Sequence, residues 1–333
     1  MIDKSPSLIK EAYRLSIAPM LDCTDRHFRV IMRQISTRVL LYTEMVVAKA
    51  LQYEKGRKLL QFNEIEHPIS LQVGGDDPKI LAEAARLAES LGYDEINLNI
   101  GCPSPRVQSG NFGACLMADP NQVAKCIEAM AGASNLPVTI KHRTGIDNLD
   151  SYEFLLEFID IIASAGATRF AIHARKAFLK GLNPKENRKI PPLEYEKVAQ
   201  IKRDRPDLKI ELNGGLHTPE ECIKALEKFD GAMVGRAIYS NPLLWKDVDY
   251  LIYGENYKSV VASEVIQKII PYAEEHLKKN GRLWDYCKHL LHLVQGVPGA
   301  KSWRQSITLK AQKANADLNI LENAAKELKK EGL

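Results

Sequence analysis

Residues 95–105 read EINLNIGCPSP, a short apolar strand that ends at Ile100 and runs into a Gly-Cys-Pro turn. A cysteine that packs in a core needs neither the glycine before it nor the proline after it. We therefore place Cys102 in a loop at the end of a strand, where side chains meet ligands. Strands of the same kind recur along the chain, and their number decides the fold.

Eight short β-type runs follow one another at similar spacing, separated by segments with helical signals. Asp77-Pro78, Asp119-Pro120 and Thr218-Pro219 each place a capping side chain before a proline, which is typical of a helix start. No Gly-x-Gly-x-x-Gly follows the first strand, which disfavours a doubly wound open sheet. The alternation predicts an α/β fold, a (β/α)8 TIM barrel. The predicted strands are Leu15–Met20, Val39–Met45, Pro68–Val73, Glu95–Ile100, Pro137–His142, Arg169–His173, Leu208–Leu212 and Gly231–Val234.

The strand pattern stops after Asn241-Pro242, and the remaining sequence is helical in pattern. Residues 296–299, Gly-Val-Pro-Gly, separate the second of four predicted helices from the third. We expect a barrel domain over residues 1–250 and a small helical-bundle domain over residues 251–333. The predicted helices of this second domain are Val260–Lys279, Trp284–Gln295, Ser302–Ala314 and Leu318–Lys330.

Composition narrows the class of protein. With 45% apolar and 26% charged side chains, the 333 residues are typical of a globular protein and not of a disordered one. The start of the chain, MIDKS, is too polar for a secretory signal, and no apolar run approaches the roughly 20 residues of a membrane span. We expect a cytoplasmic protein that does not contact membranes. The formal charge of +4 favours nucleic acid very little, and the six cysteines show neither a disulfide framework nor a zinc pattern.

The last two strands end in glycines. Gly214-Gly215 follows the seventh strand, and Gly235-Arg236 follows the eighth. At these positions backbone N–H groups can approach an anion closely, and a guanidinium adds a bidentate contact, so the pattern predicts a phosphate site. The alternative is that the glycines only make tight turns.

Other strand ends bring polar side chains to the same rim of the predicted barrel. Lys141 could form a Schiff base, hold an anion, bond to an electron-rich ring, or pair structurally with Glu95 or Glu44. His173 could equally be a core histidine. Gln72 and Asn99 offer both donors and acceptors, which suits the edge of a flavin ring. No metal-ligand spacing and no Ser-His-Asp arrangement occurs, so the set fits FMN with a cysteine acid better than an aldolase.

Long motifs at these strand ends resemble the tRNA-dihydrouridine synthases. Those of the first, third and fourth strands are SIAPMLDCTD at 16–25, LQVGG at 71–75, NLNIGCP at 97–103, RVQ at 106–108 and GACLM at 113–117. Others resemble the A-type subfamily, namely HARKA at 173–177, GL at 181–182, PKENR at 184–188, IPPL at 190–193 and GVPGAKSWR at 296–304. The similarity covers nearly the whole chain.

This resemblance implies an enzyme that reduces uridine to 5,6-dihydrouridine in the tRNA D-loop, at positions 20 and 20a. A hydride would pass from reduced FMN to C6 of uracil, Cys102 would protonate C5, and NADPH would reduce FMN again. A thiol suits this task because its reference pKa of about 8.5 leaves it protonated yet able to give up the proton. The residues expected to bind FMN are Ala18, Pro19, Met20, Gln72, Lys141, His173, Asn213, Gly214, Gly215, Gly235 and Arg236.

The resemblance also implies a tRNA partner held at its D-loop and elbow, with residues 251–333 as a tRNA-binding domain. The protein would be a monomer with no DNA or metal ligand. Two alternatives remain open: a flavin barrel that reduces a free pyrimidine or enone, and a tRNA-binding module without enzyme activity. The residues expected to contact the substrate or its phosphates are Asn99, Arg175, Lys180, Lys185, Arg188, Lys301 and Arg304.

Overall fold

A computed structural model describes residues 11–333. Its single sheet has nine parallel strands, and each of β4 to β9 pairs with the strand before or after it along the chain. β1 pairs with β9, and a bridge between Ser16 and Leu40 connects β1 to the start of β2. The sheet is therefore a nearly closed parallel barrel, as predicted. The strands are β1 Leu15–Ile17, β2 Leu41–Tyr42, β3 Val46–Val47, β4 Ile69–Gly74, β5 Glu95–Ile100, β6 Val138–Arg143, β7 Arg169–His173, β8 Lys209–Asn213 and β9 Gly231–Val234.

The second predicted strand, Val39–Met45, is interrupted. Its two parts, β2 and β3, both pair with β4, so nine strands fill eight barrel positions. Between them the backbone N–H of Gln72 donates to the hydroxyl of Thr43 at 3.0 Å instead of to a backbone carbonyl. A side-chain oxygen thus takes the place of a backbone acceptor where the strand is interrupted.

Helices surround the barrel and form the C-terminal region. Three of them begin as predicted, with Asp77, Asp119 and Thr218 accepting hydrogen bonds from the first-turn backbone. The helices are α1 Arg26–Ile35, α2 Glu54–Arg57, α3 Pro78–Ser90, α4 Pro105–Gln108, α5 Pro120–Ala131, α6 Tyr152–Ser164, α7 Tyr195–Asp204, α8 Pro219–Leu226, α9 Arg236–Ser240, α10 Val248–Tyr253, α11 Ala262–Lys278, α12 Trp284–Leu290, α13 Ala300–Ala311 and α14 Asn319–Lys330.

The helical region is a bundle of α11 to α14. The helix predicted over Trp284–Gln295 ends at Leu290, because the next turns tighten into i to i+3 hydrogen bonds at His292 and Leu293. α10, Val248–Tyr253, spans residue 250, where the predicted division of the chain falls. No helix within residues 11–333 is long and apolar enough to cross a membrane.

The bundle packs on α1 of the barrel through α11 and α12. Asp25, which caps α1, binds Lys288 Nζ at 2.7 Å and His289 Nε2 at 2.9 Å. Burial alone would raise the pKa of Asp25, but the hydrogen bonds and charges of His289 and Lys288 hold it well below its usual range. This ion cluster fixes the bundle beside the loop that follows β1.

Strand β5 shows how the sequence builds the barrel. Its residues alternate, so that Ile96, Leu98 and Ile100 join the main apolar cluster while polar side chains bond across neighbouring strands. At the N-terminal end of the interior, Arg169 lies 2.7 Å from Glu95 and 3.3 Å from Glu211. Tyr42, Ser70 and Thr139 also bond to Glu95, and Ser16 bonds to Glu211. We call this set the lower ion network.

Candidate active site at the C-terminal rim

The predicted site residues lie together at the C-terminal end of the barrel interior, opposite the lower ion network. In the register of the sheet Asn99 lies beside Lys141, and His173 lies beside Asn213. Lys141 Nζ donates to Asn213 Oδ1 at 3.0 Å. Lys141 therefore bonds to a side-chain amide at the rim. Within residues 11–333 it forms no ion pair with Glu95 or Glu44, and Glu95 pairs with Arg169 instead, so that alternative is wrong. Four strand ends thus present polar groups to one mouth.

Burial and positive charge shape this mouth. Burial, and then the charge of Arg143, lower the pKa of Lys141 to about 8. Burial also lowers the pKa of His173 well below its usual range, helped by the charges of Arg143 and Lys141. The His173 imidazole is therefore neutral, and its Nδ1 is buried without a partner among residues 11–333. A neutral ring nitrogen without a partner is a group that a bound ligand could satisfy.

The glycines after β8 and β9 open the neighbouring part of the rim. Gly214 and Gly215 have φ values of 101° and 76°, so the turn itself favours glycine. A Cβ on Gly214 would lie 3.3 Å from the His173 ring, and one on Gly235 would lie 3.4 Å from Met20 Sδ. Gly214 and Gly215 therefore make a tight turn, and Gly214 and Gly235 also leave room beside His173 and Met20; the phosphate site predicted here stays a prediction.

Arginines surround this space without acidic partners. Arg236 is exposed and forms no ion pair within the described part of the chain. After burial, the charge of Arg236 is the next cause of the lowered pKa of Arg188, and it also lowers that of Arg175. The charge of Arg236 thus acts on both of the other guanidinium groups. Such a group of uncompensated cations suits a polyanionic ligand.

Cys102 lies at the edge of the same mouth, half-buried on the loop after β5. Asn99 Oδ1 accepts hydrogen bonds from the backbone N–H groups of Gly101 and Cys102, both at 3.1 Å. Asn99 Nδ2 in turn donates to Gln72 Oε1 at 2.8 Å. The carbonyl of Cys102 accepts from the N–H of Ala114 at 2.9 Å. The thiol therefore sits on a loop held from both sides.

The same contacts define what Gln72 does within the protein. Its side chain is buried, and its amide nitrogen donates to Asn97 Oδ1 at 2.8 Å. Gln72 thus supports Asn99, which orients the Cys102 loop, and one N–H of Gln72 stays available for a ligand.

The cations expected to contact the substrate fall into two groups. Lys180, Lys185 and Arg188 are exposed near the rim, on the segment after β7. Lys301 and Arg304 lie on α13 of the helical bundle. The bundle reaches the rim at His292, whose ring lies 4.7 Å from that of Tyr239 on α9. Burial, the charge of His289 and that of Arg304 lower the pKa of His292.

The family profile described as "Dihydrouridine synthase (Dus)" matches residues 16–330. The chain belongs to the dihydrouridine synthase family. It is 51% identical to the tRNA-dihydrouridine(20/20a) synthase of Synechocystis sp. over 96% of both chains. The protein of the same name from Escherichia coli K12 is 50% identical, over 94% of this chain and 91% of its own. Among solved structures, morphinone reductase in complex with tetrahydroNAD matches 70% of this chain and 85% of its own, at 12% identity and a TM-score of 0.49. The family profile and these two relatives confirm the family resemblance found in the sequence.

In this dihydrouridine synthase, Arg143 also lies at the site, although the sequence predicted no role for it. It is buried, and its Nε donates to the carbonyl of Gly101 at 2.8 Å. Its Nη1 donates to the carbonyls of Lys176 and Asn187, both at 3.1 Å. Arg143 therefore ties the Cys102 loop to the segment that carries Arg175 and Arg188. Its position two residues after Lys141 on one strand was the only sequence signal.

A cavity of about 490 Å³ opens at the other end of the barrel. Tyr13, Leu136 and Lys209 are among its lining residues, and the lower ion network forms part of its wall. Catalytic groups of TIM barrels lie at the C-terminal ends of the strands, so we assign this cavity no part in the chemistry.

Proposed function

We propose that this dihydrouridine synthase reduces uridine in tRNA to 5,6-dihydrouridine, with FMN as cofactor and NADPH as electron donor. The observation that supports it best is the rim itself. Lys141, His173 and three arginines meet there without a carboxylate partner in the described residues, and one thiol faces them. A flavin phosphate and an RNA backbone are both anionic ligands that this charge would attract.

The residues of the rim fit FMN. His173 Nδ1 lacks a partner within residues 11–333, and Gly214 and Gly235 leave room beside the His173 ring and Met20 Sδ that a Cβ would narrow to 3.3 Å and 3.4 Å. Ala18, Pro19 and Met20 would pack against the ring system. Gln72, Lys141 and His173 would bond to its polar edge, and the phosphate would be held by Asn213, Gly214, Gly215, Gly235 and Arg236. When bound, FMN reduced by NADPH supplies a hydride to C6 of uracil.

Cys102 would donate the proton that C5 of uracil requires. Its loop is held by Asn99 and Arg143, so the thiol stays in place relative to the barrel. Negative charge develops on the uracil as the hydride arrives, and the charges of Lys141 and Arg143 favour it. Asn99 would also bond to the base if the loop relaxes on binding.

The substrate assignment follows the names of the relatives, tRNA-dihydrouridine(20/20a) synthase. We therefore propose positions 20 and 20a of the D-loop as the targets. The base must leave its stack to reach the barrel mouth, and contacts to the RNA backbone would offset that cost. These contacts would come from Arg175, Lys180, Lys185, Arg188, Lys301 and Arg304, with residues 251–333 beside the tRNA elbow.

A single-turnover experiment with Cys102→Ala tests this proposal. The flavin is reduced with NADPH, tRNA lacking dihydrouridine is added, and flavin oxidation and dihydrouridine formation are followed. We expect the rate to fall about 10²- to 10⁴-fold, the range for loss of a general acid, while flavin content stays unchanged. Cys115→Ala is the matched control, because that thiol is also half-buried but bonds to the carbonyl of Phe112.

Four outcomes would contradict the proposal or part of it. A wild-type rate for Cys102→Ala would remove Cys102 as the acid. Purified protein without flavin would favour a binding module. Equal turnover of free uridine and tRNA would favour a reductase of small pyrimidines, and dihydrouridine mapping at sites other than 20 and 20a would overturn the target assignment.

A further inference from the structure

Three potential metal ligands meet where the helical bundle packs on the barrel. His27 lies on α1, His276 on α11, and Asp285 in the first turn of α12. One ligand atom from each side chain lies within 4.8 Å of the other two. His27 is distant in sequence from the other two, so residue spacing could not reveal the set. This junction cluster has no part in the function proposed above.

Two members of the junction cluster already contact each other, and the third does not have a partner. His276 Nε2 lies 2.8 Å from Asp285 Oδ2. The His27 ring is edge-on to that of His276, with centroids 4.4 Å apart, and Tyr286 covers its other side at 4.6 Å. His27 is only 8% exposed, and its Nδ1 has no hydrogen-bond partner in the described residues. A buried nitrogen left in this state is costly unless something binds it.

We propose that the junction cluster binds one divalent transition-metal ion, with zinc the best match. Two imidazole nitrogens and one carboxylate oxygen are a common ligand set for Zn²⁺. Metal–ligand bonds of about 2.0–2.2 Å require ligand atoms roughly 3.4 Å apart. His276 Nε2 and Asp285 Oδ2, now 2.8 Å apart, must therefore separate slightly, and spacings of up to 4.8 Å within the cluster must shorten. His276 and Asp285 are 23% and 36% exposed, which gives them room to move and gives water access to the fourth position.

A bound ion would connect the two parts of the molecule. It would join α1 of the barrel to α11 and α12 of the bundle, beside the ion cluster that Asp25 forms with Lys288 and His289. The metal would therefore fix the bundle relative to the barrel rim. Since it would bind the folded protein, it would also raise the thermal unfolding temperature.

The test titrates metal-free, flavin-loaded protein with Co²⁺, and then with Zn²⁺ in competition. We expect one equivalent of Co²⁺ to give visible ligand-field bands that Zn²⁺ abolishes, and a higher unfolding temperature with either ion. His276→Gln and Asp285→Asn should each weaken binding at least tenfold, since each removes one of three protein ligands. His217→Gln removes an exposed histidine outside the cluster and is the matched control.

Circular dichroism of both variants checks that they fold, and Asp285→Asn keeps the size of the side chain it replaces. Absence of stoichiometric Co²⁺ binding would overturn the proposal. So would equal binding by the folded variants, or intense near-ultraviolet thiolate bands, which would assign the metal to the cysteines instead.

Discussion

The two ends of the barrel interior are built on the same strands but satisfy their polar groups differently. In the lower ion network, Arg169 lies between Glu95 and Glu211, and hydroxyl groups complete their hydrogen bonds. At the rim, Lys141 has only an amide partner, and His173 keeps a free ring nitrogen. At one end the buried carboxylates have a cation partner, and at the other the cations have no carboxylate partner among the described residues.

This difference indicates that one end of the barrel interior has a structural role and the other binds ligands. A buried ion network that is complete within the protein has nothing left to bind, so its role is to fill and hold the interior. A rim with cations and an orphaned nitrogen keeps its binding capacity for a ligand. Substitutions at each end test the two roles separately.

The largest effect is expected in the lower ion network. Arg169→Met would leave the carboxylates of Glu95 and Glu211 buried without their cation, which costs about 3–5 kcal/mol of unfolding free energy. Arg203→Met removes a pair with Glu196 that is 58% and 74% exposed, so it should cost less than about 1 kcal/mol. Urea denaturation measures both. Equal losses would show that the network does not stabilise the barrel.

A smaller effect is expected from the positioning residue Arg143. Lysine cannot reach the carbonyls of Gly101, Lys176 and Asn187 together, so Arg143→Lys should loosen the Cys102 loop. We expect dihydrouridine formation to slow about 10- to 100-fold, while reduction of the bound flavin by NADPH keeps its rate. Arg106→Lys, on the exposed side of α4, is the control. A loss of both half-reactions would indicate a general structural role instead.

The smallest effect is a pH dependence of flavin binding. Lys141, with its pKa lowered to about 8, carries a proton below that pH and loses it above. If FMN binds the charged form, binding above pH 8 must take up a proton, so affinity should fall by up to about tenfold per pH unit there. Titrations at several pH values should show this fall in the wild type. A fall of the same size in Lys141→Met would assign it to another group.

Local signals in the sequence predicted much of this molecule. The barrel positions, the capped helices and the polar strand ends depend on short patterns, and each appears where it was expected. The interruption of the second strand depends on the hydroxyl of Thr43 replacing a backbone acceptor, for which the sequence has no marker. The role of Arg143 and the meeting of His27 with His276 depend on contacts between distant segments. Such contacts form only when the chain folds, so the spacing of residues along the sequence does not predict them.

The most direct test of the comparison between the two ends is a titration of flavin-free protein with FMN. We predict one site per chain, with affinity lowered about 10- to 100-fold in Arg236→Gln, which removes a charge-assisted contact to the phosphate. Unfolding free energy should stay within about 0.5 kcal/mol of the wild type, because Arg236 is exposed. Unchanged FMN affinity in Arg236→Gln, or no FMN binding by the wild type, would contradict the account.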